Sequence, residues 1–519
     1  MTRILTIALV SITMLVMALV LTWWRESSTI LNADNAWLLY AAQRYAAGEA
    51  LYIDFFEVNP PLIIYLNLLP VWLAQLTSME VITAFRLSIT LFILLSLALS
   101  YQVIRKHPLC AKPSAALMLF GYAVAGLLLA PVAVYGEREH LWIAFVFPYL
   151  LFSGAIGPLF SRCLRICVAL LAAIGFALKP FFLLLWVANE AVTAYQNRSL
   201  RSVGALHNRI IVAGQLFYWL AIYVTTPAYI TTVLPLAWHS YFAFNDPMAV
   251  VLSYVGPAFA LALGLAALAW IQGAYQPLIT RLLVLLCASV AINLVQHKAW
   301  INHLYPTMFF TIWVVVALFM ALWQEWKQHR LNMKRRQFIT LWLVGVTLWY
   351  SVHSLVLFTQ GEMNRTHRLQ DQIVQAIDKY AKNDYVYPLT FSLMPGFPAI
   401  NYSNGLFRGS QHHLWVYAGW LVRDKEVIQA QRSPAPWMTQ ARQFVLDQLV
   451  QDFMSHPPAL VWVDRPDNYK GSRLYNMNII ADLTQDPRFA KLWKSYRLIG
   501  QVVSEDAPAS YDLYARVKP

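Results

Sequence analysis

A hydrophobic run at residues 4–21, ILTIALVSITMLVMALVL, decides the fold class of this sequence. The run follows Arg3 and ends in Trp23-Trp24-Arg25. A membrane-spanning helix needs about 20 mostly apolar residues, and tryptophan beside a basic residue is typical of a helix end at the membrane surface. Because a signal peptide has a shorter apolar stretch and a small-x-small cleavage site, the sequence predicts a retained membrane span here.

The composition of the whole chain also favours lipid as its main solvent. Of its 519 residues, 59% are hydrophobic and 13% are charged, whereas soluble domains have about 45–50% and roughly 25%. The net charge is +13, but the basic residues fall between apolar runs rather than on one patch. That pattern is typical of a membrane protein, so we expect membrane lipid as a partner and no nucleic acid.

Further apolar segments of similar length follow along the chain. They lie at 80–104, 113–132, 140–158, 164–178, 181–196, 210–227, 248–271, 280–296, 303–323 and 337–358. The expected fold class is therefore an α-helical polytopic membrane protein with about eleven transmembrane helices. Residues 60–76 are apolar but short and broken by Pro70. We interpret them as a helix along the membrane surface, with a short true span as the alternative.

The distribution of Lys and Arg predicts the orientation of these spans. If the N-terminus is cytoplasmic, the inner loops hold clusters such as Arg105-Lys106 and Lys334-Arg335-Arg336, and the outer loops hold few basic residues. This is the asymmetry of the positive-inside rule. An odd number of spans then places the C-terminus on the external side.

The C-terminal part of the chain, from about Thr359, is more polar and predicts a separate domain. Strands are predicted at 386–393, 459–463 and 511–516, and helices at 362–382, 436–455 and 477–494. The predicted domains are thus a transmembrane catalytic domain at 1–358, whose first external loop is 25–79, and a small external α/β domain at 359–519.

Ionisable residues gather on the predicted external side. They are Asp34, Arg44, Glu49, Asp54, Glu57, Glu137, Arg138, Glu139, His140, Lys179, His239, Asp246, His297, Lys298 and His303. A carboxylate can take a proton from an attacking hydroxyl, and basic side chains can offset the charge of a departing phosphate. The predicted cytoplasmic side has no glycine-rich phosphate-binding motif, so we expect external chemistry without a cytosolic nucleotide.

A structural role is the alternative for each of the main candidates. Asp34 precedes a helical pattern and can be its N-cap. Glu57 can simply lie near the start of the surface helix. Lys179 and Lys298 stand at predicted helix ends, where a lysine can extend its ammonium group to water.

Three other residues have alternatives of their own. Glu137 and His140 have the i, i+3 spacing of two metal ligands on a helix, or they are polar residues that flank a span. Arg86 lies inside a predicted span near its outer end. Such an arginine is costly in lipid, so we expect it to pair with an acid, Asp54 or Glu57.

The segment after the first span resembles a known family. It reads Gly48-Glu-Ala-Leu-Tyr52-Ile-Asp54-Phe-Phe-Glu57-Val-Asn59-Pro60-Pro61-Leu-Ile-Ile-Tyr65, and Phe85-Arg86-Leu87 opens the next span. This pattern is similar to the GT-C glycosyltransferases, in the protein-mannosyltransferase-like superfamily that includes the bacterial aminoarabinose transferases of lipid A. The resemblance covers roughly residues 1–358. Later loops of bacterial members look like Gly136–Leu141, Leu178–Pro180 and Gln296–His303.

The resemblance implies a GT-C fold and transfer of a sugar from a polyprenyl-phosphate donor. The acceptor would be a hydroxyl of a glycolipid, polysaccharide or protein, at the outer face of the bacterial inner membrane with a periplasmic C-terminal domain. The implied catalytic residues are Asp34, as the base, and Glu57. The implied substrate-binding residues are Tyr52, Asn59, Arg86, Arg138, Lys179, Lys298 and His303.

Two departures from the family pattern bear on the donor and on cofactors. Asn35 follows Asp34 where a second acid is expected, and Asn59 stands where the aminoarabinose transferases have Lys. The resemblance therefore does not imply aminoarabinose as the sugar. It implies no certain cofactor; a divalent cation held by Glu137 and His140 is the one candidate.

Two other function classes and one further surface complete the sequence predictions. A transporter or flippase of a lipid-linked saccharide predicts charges near mid-span and internal repeats. A scaffold or sensor predicts that Asp34→Asn is silent. The aromatic run from His412 to Trp420 is a candidate surface for stacking on sugars, with a buried aromatic core as the favoured alternative.

Overall fold

The computed structural model describes residues 2–107, 110, 113–153, 160–271, 276–327, 368–503 and 510–517. The chain divides into two units. The first, called here the helical unit, comprises Met1–Ser28, Thr83–Leu220 and Asp246–Glu362. The second, called here the α/β unit, comprises Thr29–Ile82, Ala221–Asn245 and Met363–Pro519.

The helical unit is built from long apolar helices. They are α1 (Thr2–Ser28), α4 (Val81–Ile104), α5 (Pro113–Val124), α6 (Arg138–Ser153), α7 (Arg162–Ala177), α8 (Leu183–Asn197), α9 (Leu206–Thr225), α11 (Met248–Ile271), α12 (Gln276–Gln296) and α13 (Ile301–Lys327). A helix that is apolar on all sides belongs in the interior. Accordingly, every residue of α6 from Arg138 to Phe152 is buried, so α6 forms the core of this unit.

Four helices among the described residues are long and apolar enough to cross a membrane, and a bent helix pair at 206–244 would make five. Every predicted span from 80–104 to 303–323 coincides with a helix, which confirms the helical part of the prediction. Several of these helices are short, however; α6 and α7 have 16 residues each. The number of about eleven spans therefore stays a prediction, and the segment 337–358 lies outside the described residues.

A four-stranded sheet forms the centre of the α/β unit. Its strands are β1 (Val386–Leu389), β2 (Leu460–Asp464), β3 (Tyr496–Val503) and β4 (Ser510–Arg516), in the order β1-β2-β4-β3. β1 is parallel to β2, and the remaining pairs are antiparallel. The predicted strands at 386–393, 459–463 and 511–516 are confirmed, although β1 ends at Leu389. Residues of β1 and β2 are all buried, which explains their continuous apolar sequence.

The α/β unit also contains helices, two of which, Arg368–Tyr380 and Ile479–Leu483, contact strands of the sheet. The helices are α2 (Ala33–Ala46), α3 (Leu62–Thr77), α10 (Leu234–Ser240), α14 (Arg368–Tyr380), α15 (Gly396–Ala399), α16 (Trp415–Gln429), α17 (Pro436–Ser455), α18 (Ile479–Leu483) and α19 (Pro487–Trp493). The helix predicted at 477–494 is two helices. Asp486 caps the second through the N–H of Arg488, and Pro487 occupies its first position, which separates it from α18.

The predicted first external loop folds together with C-terminal residues. The ring of Trp37 stacks on His412 at 4.2 Å, and the Tyr40 hydroxyl donates to the carbonyl of Phe407 at 3.1 Å. Asn401 Nδ2 donates to the carbonyl of Ala36 at 3.0 Å. α3 confirms a helix close to the predicted 60–76; its place along the membrane surface stays a prediction.

Candidate active site

The residues predicted to form the site divide between the two units. Asp34, Tyr52, Glu57 and Asn59 belong to the α/β unit. The helical unit holds Arg86, Glu137, Arg138, His140, Lys179, Lys298 and His303. Each group is built by its own unit.

In the helical unit, a buried carboxylate, Glu139, is the centre of the group. Glu139 lies in the first turn of α6 and is fully buried. Lys179 forms a short salt bridge with its Oε1, and His303 Nε2 lies 3.5 Å from the same oxygen. Asn302 Nδ2 is 3.5 Å from Oε2. Glu139, Lys179 and His303 therefore form one buried ionisable cluster.

Local structure fixes the lysine of this cluster. Lys179 has an extended backbone and caps the short 3-10 helix Pro180–Phe182. The ring of Phe182 stacks on Trp142 of α6 at 3.9 Å and 3°. Because Trp142 and Glu139 lie one turn apart on α6, this stacking holds Lys179 beside the carboxylate.

The loop that carries Lys298 is held in a similar way. Asp246 Oδ2 accepts the N–H of Ala299 at 2.7 Å, and the Lys298 ammonium lies 5.3 Å from the centre of the Trp300 ring, within the range of a cation–π contact. Lys298 is 2% exposed. The carbonyl of His303 accepts Asn293 Nδ2 at 2.9 Å, which ties the start of α13 to α12.

Further basic side chains lie around the cluster of Glu139, Lys179 and His303. Arg138 and Lys298 both lie within electrostatic range of His303, and Arg138 is buried like Lys179. A buried cation is stable only with an anion or strong hydrogen-bond acceptors nearby. Cations held in a site shielded from water suit an anionic ligand, because each charge acts more strongly there than in water.

The sequence prediction included Arg138, Lys179, Lys298 and His303 but did not assign a role to Glu139. The sequence did hold a signal for Glu139, because it stands next to Arg138 at the beginning of a predicted span. An acid inside a membrane helix needs a specific partner. The structure identifies that partner as Lys179.

His140 has a different role from the metal ligand considered above. Its Nδ1 accepts the N–H of Gly136 at 3.0 Å, and its Nε2 donates to the carbonyl of Leu127 at 2.8 Å. Both ring nitrogens are thus bonded to the backbone, so the structure does not support His140 with Glu137 as a metal site. Among the residues described, no group of three His, Cys, Asp or Glu side chains could hold a metal ion.

Arg86 lies in α4 and is half-buried. Its pairing with Asp54 or Glu57 stays a prediction. Asp54 itself accepts the N–H of Ala50 within its own loop at 2.6 Å, which gives it a local role in the turn.

In the α/β unit, Glu57 organises the first loop. It is 2% exposed, and its Oε2 accepts the indole N–H of Trp37 at 2.6 Å. Its Oε1 accepts the backbone N–H of Asn59 at 2.9 Å and also, in a shorter bond, the side-chain amide of Asn59. The Tyr52 hydroxyl donates to the Asn59 carbonyl at 2.6 Å. The structure therefore brings together Tyr52, Glu57 and Asn59, in a network in which the Glu57 carboxylate accepts from Trp37 and Asn59.

Asp34 is the second residue of α2 and is half-buried. The N-cap of this helix is Asn32, whose side chain accepts the N–H of Asn35 at 2.8 Å. The interpretation of Asp34 as the cap is therefore wrong. A carboxylate in the first turn is stabilised by the helix dipole, and the capping function that could have explained Asp34 belongs to another residue.

A second loop supports the Glu57 network from the C-terminal part of the unit. The N–H of Phe56 donates to the Ser410 carbonyl at 2.8 Å. Asp452 of α17 accepts both the N–H of Ser410 at 2.7 Å and its hydroxyl at 2.8 Å. Burial raises the pKa of Asp452 to about 6, against these hydrogen bonds. Sequence reasoning missed this loop, because its partners are more than 300 residues apart.

The aromatic run from His412 to Trp420 is part of the core. Trp415 and Tyr417 are 1% and 0% exposed, and the Tyr241 ring meets Trp415 edge-on at 6.2 Å. The buried aromatic core, which was the favoured alternative, is thus confirmed. The interpretation as an exposed stacking surface is wrong.

Comparison with known proteins identifies the fold. No protein-family model matches the chain, and no curated protein sequence is detectably similar. Two solved structures of ArnT from Cupriavidus metallidurans are similar. The one bound to undecaprenyl phosphate has a TM-score of 0.53 and 11% identity, and covers 98% of this chain and 99% of ArnT. The apo form has a TM-score of 0.54 and 12% identity, and covers 99% of both chains. The chain therefore has an ArnT-like fold, which confirms the GT-C fold expected from the resemblance.

Proposed function

We propose that this protein is a glycosyltransferase that moves a sugar from a polyprenyl-phosphate donor to an acceptor hydroxyl. The acceptor hydroxyl belongs to a glycolipid, a polysaccharide or a protein. The proposal places the protein in a bacterial inner membrane, with several spans and with its chemistry at the outer face. An ArnT-like fold supports it, since one of the two ArnT structures holds undecaprenyl phosphate.

The observation that carries the proposal is the buried basic cluster of the helical unit. Lys179 and His303 contact Glu139, and Arg138 and Lys298 lie nearby. When a sugar leaves a lipid phosphate, negative charge grows on the phosphate oxygens. Fixed cations in a site shielded from water stabilise that charge in the transition state. In this proposal, Glu139 positions Lys179, and the basic side chains hold the phosphate.

Asp34 is the proposed base. A carboxylate that takes the proton of the acceptor hydroxyl makes the oxygen a better nucleophile for attack on the anomeric carbon. Asp34 is half-buried in the first turn of α2, whose N-cap is Asn32; a partly exposed carboxylate can reach an acceptor hydroxyl. Glu57 is proposed as a positioning residue, since its oxygens are bonded to Trp37 and Asn59.

The test is sugar transfer by purified protein in liposomes, with a panel of polyprenyl-phosphate sugars as donors. Glycolipids, polysaccharides and proteins of the native host serve as acceptors. We expect transfer by the wild type and a loss of at least about 100-fold in kcat for Asp34→Asn, which keeps the size of the side chain.

Asp371→Asn is the matched control. Asp371 also lies in the first turn of a helix, α14, and is exposed, so its substitution should leave transfer unchanged. Equal transfer by wild type and Asp34→Asn would remove Asp34 from the mechanism. Movement of lipid-linked saccharide across the bilayer without any sugar transfer would replace this proposal by that of a flippase.

A further inference from the structure

A cavity of about 380 Å³ lies between three helices of the helical unit, α1, α4 and α5. Apolar side chains from all three helices line it, among them Ile12, Leu15, Leu94, Leu97, Ala98 and Phe120. Apolar cavities of only about 150 Å³ in proteins stay dry and take up small hydrocarbons. The lining of this larger cavity therefore suits a hydrocarbon ligand better than water.

The floor of the cavity is formed where α1 packs on α5. A Cβ on Gly121 of α5 would lie 2.6 Å from Cε of Met14 on α1, so the absence of a side chain lets the two helices approach closely. The neighbouring Phe120 is buried and meets the ring of Tyr101 on α4 edge-on at 5.4 Å. Phe120 thus closes the inner side of the cavity between α1 and α4.

The outer side of the cavity is open. Ile12 is 58% exposed, and Ala98 is exposed as well. Among the described helices that are long and apolar enough to span a membrane, α1 is the least buried, with 22% of its apolar stretch covered by protein. Bilayer lipid covers such a surface in a membrane protein, so a lipid chain can enter the cavity from the side.

Basic side chains stand at one end of the cavity. Along α4 the lining runs from Leu94 to Tyr101, about 10 Å at the rise of an α-helix. Arg105 follows one turn after Tyr101, and its guanidinium lies 5.7 Å from the centre of that ring. Arg105 and Lys106 are both exposed, and residues 81–136 contain no Asp or Glu. This end of the cavity therefore favours an anionic headgroup.

The basic end of α4 lies away from the buried cluster at the start of α6. The hydroxyl groups of Thr90 and Tyr135 are 2.8 Å apart, and Ser96 donates to the carbonyl of Ala144. α4 and α6 therefore run in the same direction, with Thr90 level with the start of α6. Arg105 lies 15 residues beyond Thr90, about 22 Å along the helix. A phosphate beside Arg105 is therefore not the one that the proposed function places at the buried cluster.

We propose that this cavity binds an acyl chain of an anionic glycerophospholipid of the bilayer, whose phosphate is held by Arg105 and Lys106. The arginine fork bonds phosphate oxygens in pairs, and basic residues at the membrane surface attract anionic headgroups. The lipid fills the space between α1 and α4 and so joins α1 to the rest of the unit. The site goes beyond the proposed function, because it requires only a bilayer.

The test is binding of dioleoyl phosphatidylglycerol and dioleoyl phosphatidylcholine to the full-length protein in detergent. Native mass spectrometry counts the bound lipid, and the thermal midpoint is followed in parallel. We expect the wild type to bind the anionic lipid about tenfold more tightly and to be stabilised by it. Arg105→Gln should abolish this preference. Ala98→Trp, which fills the cavity from an exposed position, should weaken binding of both lipids about tenfold.

Arg162→Gln and Leu95→Trp are the matched controls. Arg162 is an exposed arginine at the start of α7, and Leu95 is an exposed residue of α4 outside the lining of the cavity. Both variants should bind the two lipids like the wild type. Equal binding of the two lipids by the wild type, or a loss of preference in Arg162→Gln as large as in Arg105→Gln, would overturn the proposal.

Undecaprenyl phosphate tests the other occupant of the cavity. If Ala98→Trp abolishes binding of undecaprenyl phosphate and leaves phospholipid binding unchanged, the cavity holds the chain of the donor lipid and the proposal is wrong. These measurements do not depend on sugar transfer. Phospholipid binding that depends on Arg105 in a protein without transfer activity would contradict the proposed function alone and leave the lipid site standing.

Discussion

The two units each bury a carboxylate, but they surround it differently. Glu57 in the α/β unit is bonded by the indole of Trp37 and the two N–H groups of Asn59. Glu139 in the helical unit is paired with Lys179 and has His303 at 3.5 Å. The donors that Trp37 and Asn59 direct at Glu57 are neutral and hold a loop, whereas the cations around Glu139 create a field that a second anion can use.

In the proposed function, Glu139 positions the cation that holds the phosphate, whereas Glu57 organises a loop. Both residues are buried, but the sequence analysis assigned a role only to Glu57. The partners decide between them, because the charge of the partners determines what else the site can bind. Substitutions in one unit at a time therefore test the two carboxylates separately.

The largest effect on transfer and on stability is expected from substitution of Lys179, which forms the ion pair with Glu139. Lys179→Met should reduce transfer by about 100- to 1000-fold, because the cation that is proposed to hold the phosphate is lost. It should also destabilise the fold by about 3–5 kcal/mol, since the buried Glu139 carboxylate loses the cation with which it forms its salt bridge. Transfer in liposomes and thermal unfolding measure the two effects separately.

The double variant Lys179→Met with Glu139→Gln distinguishes them. It removes both charges, so stability should return to nearly that of the wild type while transfer stays low. If transfer recovers together with stability, the pair is structural and the comparison drawn above fails.

The next largest effect is the pH dependence of folding stability that buried acids of the α/β unit cause. Burial raises the pKa of Asp452 and of Asp464 to about 6 each. In the unfolded chain such a group titrates near 4. The folded state therefore binds protons more tightly, and these groups favour folding fully below about pH 4 and lose that contribution as pH rises through about 6.

Each of these acids contributes on the order of 2–3 kcal/mol across that window. Burial holds the pKa of His413 well below its usual range, which opposes the trend because a neutral buried histidine favours folding at higher pH. The measurement is therefore the difference between wild type and Asp452→Asn in thermal midpoint at pH 4.5 and 7.5. The variant should gain less from acidification; an equal gain would show that Asp452 titrates normally.

Substitution of Glu57 is expected to have a smaller effect on stability and on transfer. Glu57→Gln keeps one acceptor but can turn an amide N–H toward the indole N–H of Trp37, which costs about 1–3 kcal/mol. Addition of Trp37→Phe should recover part of that loss. Transfer measured per folded molecule should fall less than tenfold, in contrast to Lys179→Met. A loss of 100-fold in fully folded Glu57→Gln would make Glu57 a catalytic residue.

The smallest effect is expected at the helix cap. Asn32→Ala removes the side chain that accepts the N–H of Asn35 and should lower stability by about 1 kcal/mol. Transfer by Asn32→Ala should stay unchanged. Asp34→Asn, in contrast, should lose transfer and keep its stability. A loss of transfer in Asn32→Ala equal to that in Asp34→Asn would mean that both act through the start of α2.

Much of the helical unit could be predicted because lipid imposes a simple rule. A helix that spans a membrane must be long and apolar, and such a segment is easily recognised in a sequence. The spans predicted at 248–271 and 80–104 therefore match α11 and α4 almost residue for residue. The strand β3 was missed for the opposite reason. Its Leu498 is exposed, and a bulge near Gly500 interrupts its alternation.

The candidate site residues were chosen from their place in the chain, which did not indicate their partners. Lys179 stood out beside a helix end, yet its pairing with Glu139 joins residues 40 apart in sequence. The bond of Phe56 to Ser410 spans a far greater separation. Periodicity reports only local structure, so contacts of this kind appear first in the folded chain.

The most direct test of the central claim is whether the helical unit recognises phosphate on a lipid. Binding of undecaprenyl phosphate and of uncharged undecaprenol should be compared in the wild type and in the double variant Lys179→Met with Glu139→Gln. The proposed function predicts that the wild type binds the phosphate at least about tenfold more tightly than the alcohol, and that the variant loses this preference. Equal binding of both lipids by the wild type, or an unchanged preference in the variant, would contradict it.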